Sequence, residues 1–459
     1  MKLYLIFTFA LLLLWVPLKA QTPAERAVDD LIKAEMQRQK IPGVGLAVVR
    51  NGKPFIVKGY GFANIEHQAP VIPETIFQSG SVGKQFTAMA VMILVEEGKI
   101  SLDETIGKYL GKVPNAWANI TVRNLLSHTG GMTDYPENFD FRKDYTEDEL
   151  LMQAEQVPLA FQPGEKWSYS NLGYVTLGIL IGKVSGKFYG DFLSERVFKP
   201  LGMQTARIIS ERDIVPNRAA GYVLVDGEVK NQRWVSPSMN TTADGSLYLS
   251  LLDMLKWENG LASGKLLTPA SYRQLWSPIK LKGGKEYPYG FGWGFRVLNG
   301  KRVIEHGGAW QGFRSHIARY PDNDLAVIVF ANLASANVER IASRLSALID
   351  RTLEPKPVVD ADPKLSAEFR RILEDILKGN VDASRFTPEL AKALSNSEDR
   401  FLNHLKKSGP IRGFKLIETR KIDDTMGYRY DVEFDSITAL LEIGMQKDRK
   451  ISHFSLQPE

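Results

Sequence analysis

The first hundred residues show two different hydrophobic periods. Residues 24–40 repeat apolar side chains at the spacing of an amphipathic helix. Residues 44–49 and 55–60 are apolar runs on either side of Asn51-Gly52, a strong signal for a two-residue hairpin. Residues 81–97 are apolar on nearly every side, which is typical of a helix buried at the centre of a domain. The pattern therefore predicts a helix, a hairpin and a central buried helix.

Strand-like segments return only in the second half of the chain, and a helical pattern over 336–353 follows them. They cover residues 289–297, 302–305, 313–320 and 325–331. Strands that are linked by short hairpins run antiparallel, so we expect the early and late strands to share one antiparallel sheet. The helical region between them is then an insertion, and a pocket is expected between it and the sheet.

A second, smaller unit is predicted at the end of the chain. Residues 354–365 combine prolines with alternating charges, which is typical of a linker. Two helical patterns and four strand-like runs follow, at 366–378, 387–407, 413–421, 427–434, 437–446 and 450–456. The predicted fold class is therefore α+β, an α/β sandwich. Its main domain, 21–353, has an antiparallel sheet flanked by helices with a helical insertion, and 366–459 form a small α+β domain of unknown role.

Residues 1–20 are a short basic start followed by an apolar run. The run is shorter than the roughly 20 residues that cross a bilayer, and Ala20 supplies a small residue before a cleavage point, as in a secretory signal. We expect an exported protein, periplasmic or secreted, with no stable membrane span after the signal is cleaved. Leu18 is larger than the residue usual at that position, which leaves the cleavage site and an uncleaved anchor open.

Composition narrows the chemistry further. Lys and Arg number 58 and Asp and Glu 53, a net charge of +5 over 459 residues that indicates no nucleic-acid partner. The absence of cysteine excludes disulfides, zinc–thiolate sites, iron–sulfur clusters and a cysteine nucleophile. The six histidines form no HExxH pair or close cluster. We therefore expect no metal and no cofactor, and a small-molecule or peptide substrate.

Two serines stand three residues before a lysine, about the number that chance gives for 28 serines and 32 lysines in 459 residues. Ser277 precedes Pro278 in a polar segment, whereas Ser81 opens the predicted buried helix and has Lys84 one turn away. A serine hydroxyl attacks a carbonyl only after a neighbour takes its proton, and burial favours the neutral amine that can do so. The alternative interpretation is a surface lysine beside a capping serine.

Two further motifs follow. Tyr169-Ser170-Asn171 is the only Tyr-x-Asn sequence in the chain. A phenol can pass a proton and an amide can orient a lysine or a substrate, although the same residues suit a turn before a helix. His306-Gly307-Gly308 lies just beyond a predicted strand, where glycines let a ligand approach the backbone. The N–H groups of Ala309 and Ser81 could then form an oxyanion hole, and a glycine-rich bulge is the alternative.

In this order the three motifs resemble the SxxK, YxN and [K/H]-[T/S/G]-G set of the penicillin-recognising serine hydrolases. The resemblance covers residues of about 25–350 and is strongest to class C β-lactamases, D-stereospecific peptidases and related esterases. It is carried by residues 77–88, 125–131, 163–174 and 306–308. The resemblance implies an exported serine hydrolase that cleaves an amide or ester (a β-lactam, a D-amino-acid peptide or a small ester) through an acyl-serine.

The resemblance also implies a role for each residue. Ser81 would be the acylated nucleophile, Lys84 its base, and Tyr169 the proton shuttle that assists deacylation. The substrate would be bound or positioned by Asn171, His306, Gly307 and Gly308. The oxyanion hole would be formed by the backbone N–H groups of Ser81 and Ala309. His128 would be structural. The third motif lacks the lysine and hydroxyl that help bind a substrate carboxylate, which disfavours efficient β-lactam turnover and recognition of a C-terminal D-alanine.

Two other protein classes are weighed against this one. An α/β-hydrolase requires Gly-x-Ser-x-Gly, and Ser79 stands where its first glycine is needed. A ligand or β-lactam sensor on the same fold would keep the pocket without turnover, and the C-terminal unit, which resembles small ligand-binding modules, is compatible with that. For residues 366–459, a lid, a ligand- or partner-binding module and plain stabilisation all stay open, as do the natural substrate and the oligomeric state.

Overall fold

The computed structural model describes residues 21–136, 138–208, 212–356, 358–396, 409–422, 425–435 and 437–458. The helices are α1 Pro23–Gln39, α2 Lys84–Glu96, α3 Gly107–Leu110, α4 Val122–Leu126, α5 Glu147–Glu155, α6 Asn171–Ser185, α7 Tyr189–Leu193, α8 Lys199–Leu201, α9 Leu251–Ser263, α10 Pro269–Leu275, α11 Val338–Ile349, α12 Pro363–Leu377 and α13 Pro388–Asn396. The strands are β1 Gly43–Arg50, β2 Lys53–Asn64, β3 Ala69–Pro70, β4 Phe77–Gln78, β5 Tyr222–Val225, β6 Glu228–Asn231, β7 Tyr248–Leu249, β8 Ile279–Lys280, β9 Glu286–Tyr287, β10 Gly294–Leu298, β11 Lys301–Trp310, β12 Phe313–Tyr320, β13 Leu325–Ala331, β14 Ile411–Ile422, β15 Thr425–Phe434, β16 Thr438–Gln446 and β17 Ile451–Pro458. The predicted signal, residues 1–20, and the second half of the predicted helix 387–407 lie outside the described residues.

Seven strands form one antiparallel sheet in the order β10-β11-β12-β13-β1-β2-β3. The hairpin between β1 and β2 turns at Asn51 and Gly52, whose φ angles are 52° and 68°, as a type of turn with two positive φ values requires. β1 also pairs with β13, so that Val44 lies opposite Ala331. The early and late strands therefore share one sheet, as predicted, and β1 joins the two groups because it pairs with β13 on one side and with β2 on the other.

Each face of this sheet carries its own hydrophobic layer. On one face, α1 and α11 pack through residues such as Val28, Ile32, Ile341 and Leu345. The other face carries the larger layer, in which α2, α6 and α9 pack together. α2 is buried on every side from its first residue through Leu94. This central position explains why its sequence is apolar in all directions.

The strand that carries the third motif is longer than predicted. β11 runs through Trp310, so His306 and the two glycines lie inside the strand and not beyond it. Gly307 and Gly308 pair with His316 and Ser315 of β12. Glycine has low strand propensity, which hid this half of the strand in the sequence pattern.

The C-terminal unit is a four-stranded antiparallel sheet in the order β14-β15-β16-β17, with α12 and α13. It has its own core, which includes Phe369, Leu373, Tyr430 and Leu441. α12 begins inside the predicted linker, where the Asp362 carboxylate accepts the N–H of Leu365 at 3.0 Å and caps the helix. In the described part of the chain, no helix combines the length and the apolar character that a membrane crossing needs.

Candidate active site

Ser81 lies where a tight turn meets the central helix. Gly80–Gly83 form a 3₁₀ turn and α2 begins at Lys84. Gly80 has a φ of 50°, a conformation that glycine adopts without strain. Nζ of Lys84 lies 3.2 Å from Oγ of Ser81. The serine and the lysine are therefore in hydrogen-bond contact, across a 3₁₀ turn and not the α-helical turn that was expected.

The amine of Lys84 is completely buried and has three oxygen neighbours. It donates to Oδ1 of Asn171 at 2.7 Å and to the backbone carbonyl of Asp244, and Oγ of Ser81 is the third neighbour. The first two oxygens can only accept hydrogen bonds, whereas a serine hydroxyl can also donate. A neutral amine has two N–H groups and one lone pair, so in that form the lone pair faces Ser81. This arrangement suits a group that receives the serine proton.

The phenol of Tyr169 stands beside the same amine. Nζ of Lys84 lies 4.9 Å from the centre of the Tyr169 ring. The Tyr169 hydroxyl is buried and has no hydrogen-bond partner among the described residues. Such a group carries a desolvation cost and is typical of functional sites. The next residue, Ser170, caps α6 by accepting the N–H of Gly173 at 3.0 Å, which fixes the turn that holds the phenol.

Glycines let β11 approach the turn that carries Ser81. A Cβ atom added to Gly308 would lie 2.1 Å from the carbonyl oxygen of Ser79 and 3.0 Å from the backbone nitrogen of Ser81. A Cβ atom added to Gly80 would lie 2.4 Å from the backbone nitrogen of Ala309. Ser81 and Ala309 also line one cavity. The backbones of Ser81 and Ala309 thus border the same cavity, which an oxyanion hole formed by these two residues requires.

His306 is turned toward the core and not toward the cavity. Its Nε2 lies 2.9 Å from the hydroxyl of Tyr289, and its Nδ1 lies 2.6 Å from the carbonyl oxygen of Gly307. Burial lowers the pKa of His306 to about 4, so the ring is neutral near pH 7. Of strand β11, only Ala309 and Trp310 line the cavity. The position of His306 differs from the substrate contact expected for it, because the strand continues and its pairing directs the histidine inward. Gly307 and Gly308 stay accessible, and Gly308 lies beside the backbone of Ser81.

The cavity beside Ser81 has a volume of about 470 Å³. Its wall contains four aromatic and two acidic side chains, namely Tyr135, Phe139, Phe141, Trp310, Asp134 and Asp244, and no Lys or Arg is among its described lining residues. Sequence reasoning missed all six. The only available signal was the density of aromatic residues between 135 and 145 in an otherwise polar loop.

The two carboxylates are tied to the serine–lysine pair. Oδ2 of Asp134 accepts from Nδ2 of Asn171 at 2.9 Å, and the other end of that amide accepts from Lys84. Asp244 is 8% exposed; its Oδ2 accepts from the Tyr135 hydroxyl at 3.4 Å, and its Oδ1 is buried without a partner among the described residues. Burial raises the pKa of Asp244, whereas the charge of a protonated Lys84 and a hydrogen bond from Thr242 oppose that rise. The wall next to the nucleophile therefore carries two carboxyl groups, which favour a hydrogen-bond donor with positive charge.

An antiparallel sheet with a helical insertion, with a serine, a buried lysine and a tyrosine between them, is the arrangement found in the penicillin-recognising class of serine hydrolases. The beta-lactamase family profile matches residues 28–350. The chain belongs to the beta-lactamase family.

Several characterised proteins are similar to this chain. Penicillin-binding protein 4* of Bacillus subtilis is 28% identical over 60% of this chain and 64% of its own length. A D-aminopeptidase of Gluconobacter oxydans is 29% identical over 69% of this chain and 60% of its own length. The chain therefore spans less than two thirds of the length of these two relatives.

Solved structures are similar as well. The octameric penicillin-binding protein homologue from Pyrococcus abyssi superposes with a TM-score of 0.65 at 24% identity, covering 94% of this chain and 99% of that one. This coverage extends the shared fold into the C-terminal unit. The D-amino acid amidase from Ochrobactrum anthropi SV3, complexed with L-phenylalanine amide, gives a TM-score of 0.63 at 25% identity over 72% of this chain and 98% of that one.

Proposed function

We propose that this serine hydrolase cleaves amides through an acyl-enzyme, with Ser81 as the nucleophile and Lys84 as its proton acceptor. Oγ of Ser81 bonds to the carbonyl carbon while the hydroxyl proton moves to Nζ of Lys84. The N–H groups of Ser81 and Ala309 receive the developing oxyanion. The carbon–nitrogen bond then breaks, and the amine leaves with the proton. The set of partners around Nζ supports this step, because only Ser81 among them can give up a proton.

Tyr169 provides the second half of the proton path in this proposal. Its buried hydroxyl makes no hydrogen bond to Lys84 or to any other described residue, and the lysine amine lies 4.9 Å from the centre of its ring. The phenol therefore has to move toward the amine before it can pass the proton from Lys84 to the departing amine. In deacylation a water oxygen bonds to the acyl carbon and the bond to Oγ breaks. The water's proton returns to Oγ through the same groups. Asn171 acts as a positioning residue, because it holds Nζ at 2.7 Å.

We propose as substrates amides with a free ammonium group beside the scissile carbonyl, such as D-amino-acid amides and peptides with an N-terminal D-residue. The observation that carries this choice is the pair of carboxylates, Asp134 and Asp244, in a cavity wall with no Lys or Arg among its described lining residues. The aromatic wall suits an apolar side chain, and similarity to D-aminopeptidases supports the stereochemistry. Substrates that need a cation for their carboxylate, such as most β-lactams, should be poor.

A charge-deletion comparison tests the substrate proposal. Hydrogen bonds to charged groups contribute about 1.5–3 kcal/mol, which corresponds to about 10- to 150-fold in kcat/KM. We expect D-phenylalanine amide to exceed its N-acetyl derivative by that factor in the native enzyme, and the gap to close in Asp244→Asn. L-Phenylalanine amide is the stereochemical control. The proposal would be contradicted if the ratio of kcat/KM for the free amide to that for the acetylated amide were the same in both proteins.

The lifetime of the acyl group separates an enzyme from a sensor. Release of the acyl group within minutes supports a hydrolase, whereas a β-lactam adduct that persists for hours would support the sensor alternative.

We also propose that residues 1–20 are an export signal. Protein recovered from the periplasm or the medium should then begin near Gln21, and a membrane-bound form that retains residues 1–20 would contradict cleavage.

A further inference from the structure

Three buried side chains connect the two sides of the candidate active site. His128 lies in the loop after α4, Tyr289 precedes β10, and His306 lies on β11. Nε2 of His128 lies 3.2 Å from the Tyr289 hydroxyl, which lies 2.9 Å from Nε2 of His306. None of the three takes part in the proton transfers described above. All three are buried, so each hydrogen bond that is lost would leave a costly unpaired group.

The groups at the two ends of this hydrogen-bond chain set the direction of every hydrogen bond among the three side chains. At one end, the backbone N–H of Ser170 donates to Nδ1 of His128 at 3.1 Å. Nδ1 therefore carries no proton, and the proton of His128 is on Nε2 and points to Tyr289. At the other end, the carbonyl of Gly307 can only accept, so Nδ1 of His306 carries the proton. Tyr289 therefore accepts from His128 and gives its own proton to Nε2 of His306. The hydroxyl of Tyr174 is a further neighbour of Tyr289, and its proton goes to the carbonyl of Leu126 at 2.8 Å.

Each end of this hydrogen-bond chain lies beside a part of the candidate active site. Ser170 follows Tyr169, and the ring of Tyr169 contacts that of His128, with the ring centres 4.2 Å apart and the planes tilted by 35°. Gly307 precedes Gly308, which packs against the backbone of Ser81. A shift at either end would change the distance between the phenol and the oxyanion donors.

We propose that His128, Tyr289 and His306 form a positioning chain, with two neutral histidines of opposite tautomer, that holds the Tyr169 turn and strand β11 in register for the acyl-transfer reaction. The chain is complete only when both histidines are neutral. A proton on Nδ1 of His128 would face the N–H of Ser170, and a proton on Nε2 of His306 would oppose that of Tyr289.

The surroundings of the two histidines favour this state. Burial is the largest cause that lowers the pKa of both rings, and the charge of Lys84 lowers it further whenever that amine is protonated. His316 acts on His306 in the same direction, whereas the hydrogen bond to the Gly307 carbonyl and the charge of Glu305 act against it.

Nitrogen NMR of the histidine-labelled full chain tests the tautomers directly, without any substrate. At pH 7 we expect the proton on Nε2 of His128 and on Nδ1 of His306, with the signals assigned by His128→Gln and His306→Gln. The chain has only six histidines, which makes the assignment tractable. The reverse tautomer or an imidazolium at either position would overturn the proposal.

Kinetics tests the positioning role, and this part rests on the proposed function. Tyr289→Phe removes the central hydroxyl and should lower kcat about tenfold or more with KM changed less than about twofold, because small misplacements of catalytic groups slow the chemical step. Tyr60→Phe is the matched control, since it removes a buried hydroxyl that donates to Asp29 at 2.8 Å on the opposite face of the sheet. It should lower the melting temperature similarly and leave kcat unchanged. Equal kcat in the two variants would overturn the positioning role.

If no amide is turned over, the rate at which a fluorophosphonate labels Ser81 replaces kcat. Slower labelling in Tyr289→Phe than in Tyr60→Phe supports the positioning chain, and equal labelling refutes it. If no amide is turned over but the tautomers are as expected, the proposed function is refuted and the positioning chain is not.

Discussion

Replacing Gly308 by alanine tests whether the approach of β11 to the serine turn is needed for catalysis. The added Cβ would lie 2.1 Å from the carbonyl oxygen of Ser79 and 2.3 Å from Oγ of Ser315. Side-chain carbons essentially never approach closer than 3.0 Å, so the strand and the turn must separate by at least 0.9 Å. The carbonyl is backbone and is held by the Ser315 hydroxyl, so it cannot rotate away.

A displacement of that size moves the N–H of Ala309 away from the oxyanion. A shift of about 1 Å costs on the order of 100-fold in rate, and the loss of one oxyanion donor costs about 100- to 1,000-fold. We therefore expect Gly308→Ala to lower kcat about 100-fold and to destabilise the fold by about 1–3 kcal/mol from overpacking. Both quantities can be measured, by amide hydrolysis and by denaturant unfolding.

The control is Gly283→Ala, because Gly283 has no neighbour within 4 Å of an added Cβ. It should leave both quantities unchanged. A Gly308→Ala enzyme that folds stably and hydrolyses its substrate within about threefold of the native rate would refute the assigned oxyanion site.

Three further predictions follow from the same geometry. Lys84→Ala should lower kcat about 100- to 10,000-fold, the range for loss of a general base, and His306→Ala by far less; steady-state kinetics showing the opposite ranking would reverse their roles. Asn171→Ala should lower kcat more than it raises KM, because it frees the lysine amine from one acceptor, and a pure KM effect would contradict this. Burial holds the pKa of His306 at about 4, below its unfolded value of 6.5, so the unfolded chain binds more protons between those values and the free energy of unfolding should fall as pH drops from 6.5 toward 4, by up to about 1.4 kcal/mol per pH unit from this group. Denaturant unfolding of His306→Gln should show a smaller slope in that window, and an equal slope would contradict the buried neutral state.

Local signals in the sequence predicted much of the fold. Asn51-Gly52 can form its tight turn from neighbouring residues alone, and the all-round apolar character of α2 reports its central position directly. The start of that helix was less visible, because Gly80–Gly83 form a 3₁₀ turn whose geometry depends on contacts with β11.

Some residues of the candidate site could likewise be predicted from local sequence, and others could not. Ser81, Lys84 and Tyr169 stand in motifs with recognisable spacing, so they could be found without a structure. Asp134 and Asp244 are 110 positions apart in the chain and meet only because the insertion folds over the sheet. The sequence around either residue therefore does not predict that the two carboxyl groups line one cavity. The inward turn of His306 likewise depends on the pairing of β11 with β12 and on Tyr289, which sequence spacing does not reveal.

Peptide mapping by mass spectrometry after exposure to a fluorophosphonate and to an activated ester tests the nucleophile most directly. One covalent adduct is expected, on the peptide that contains Ser81, and it should disappear in Ser81→Ala while the variant stays folded. Stoichiometric labelling of a different serine, or undiminished labelling of the Ser81→Ala protein, would contradict the assignment of the nucleophile.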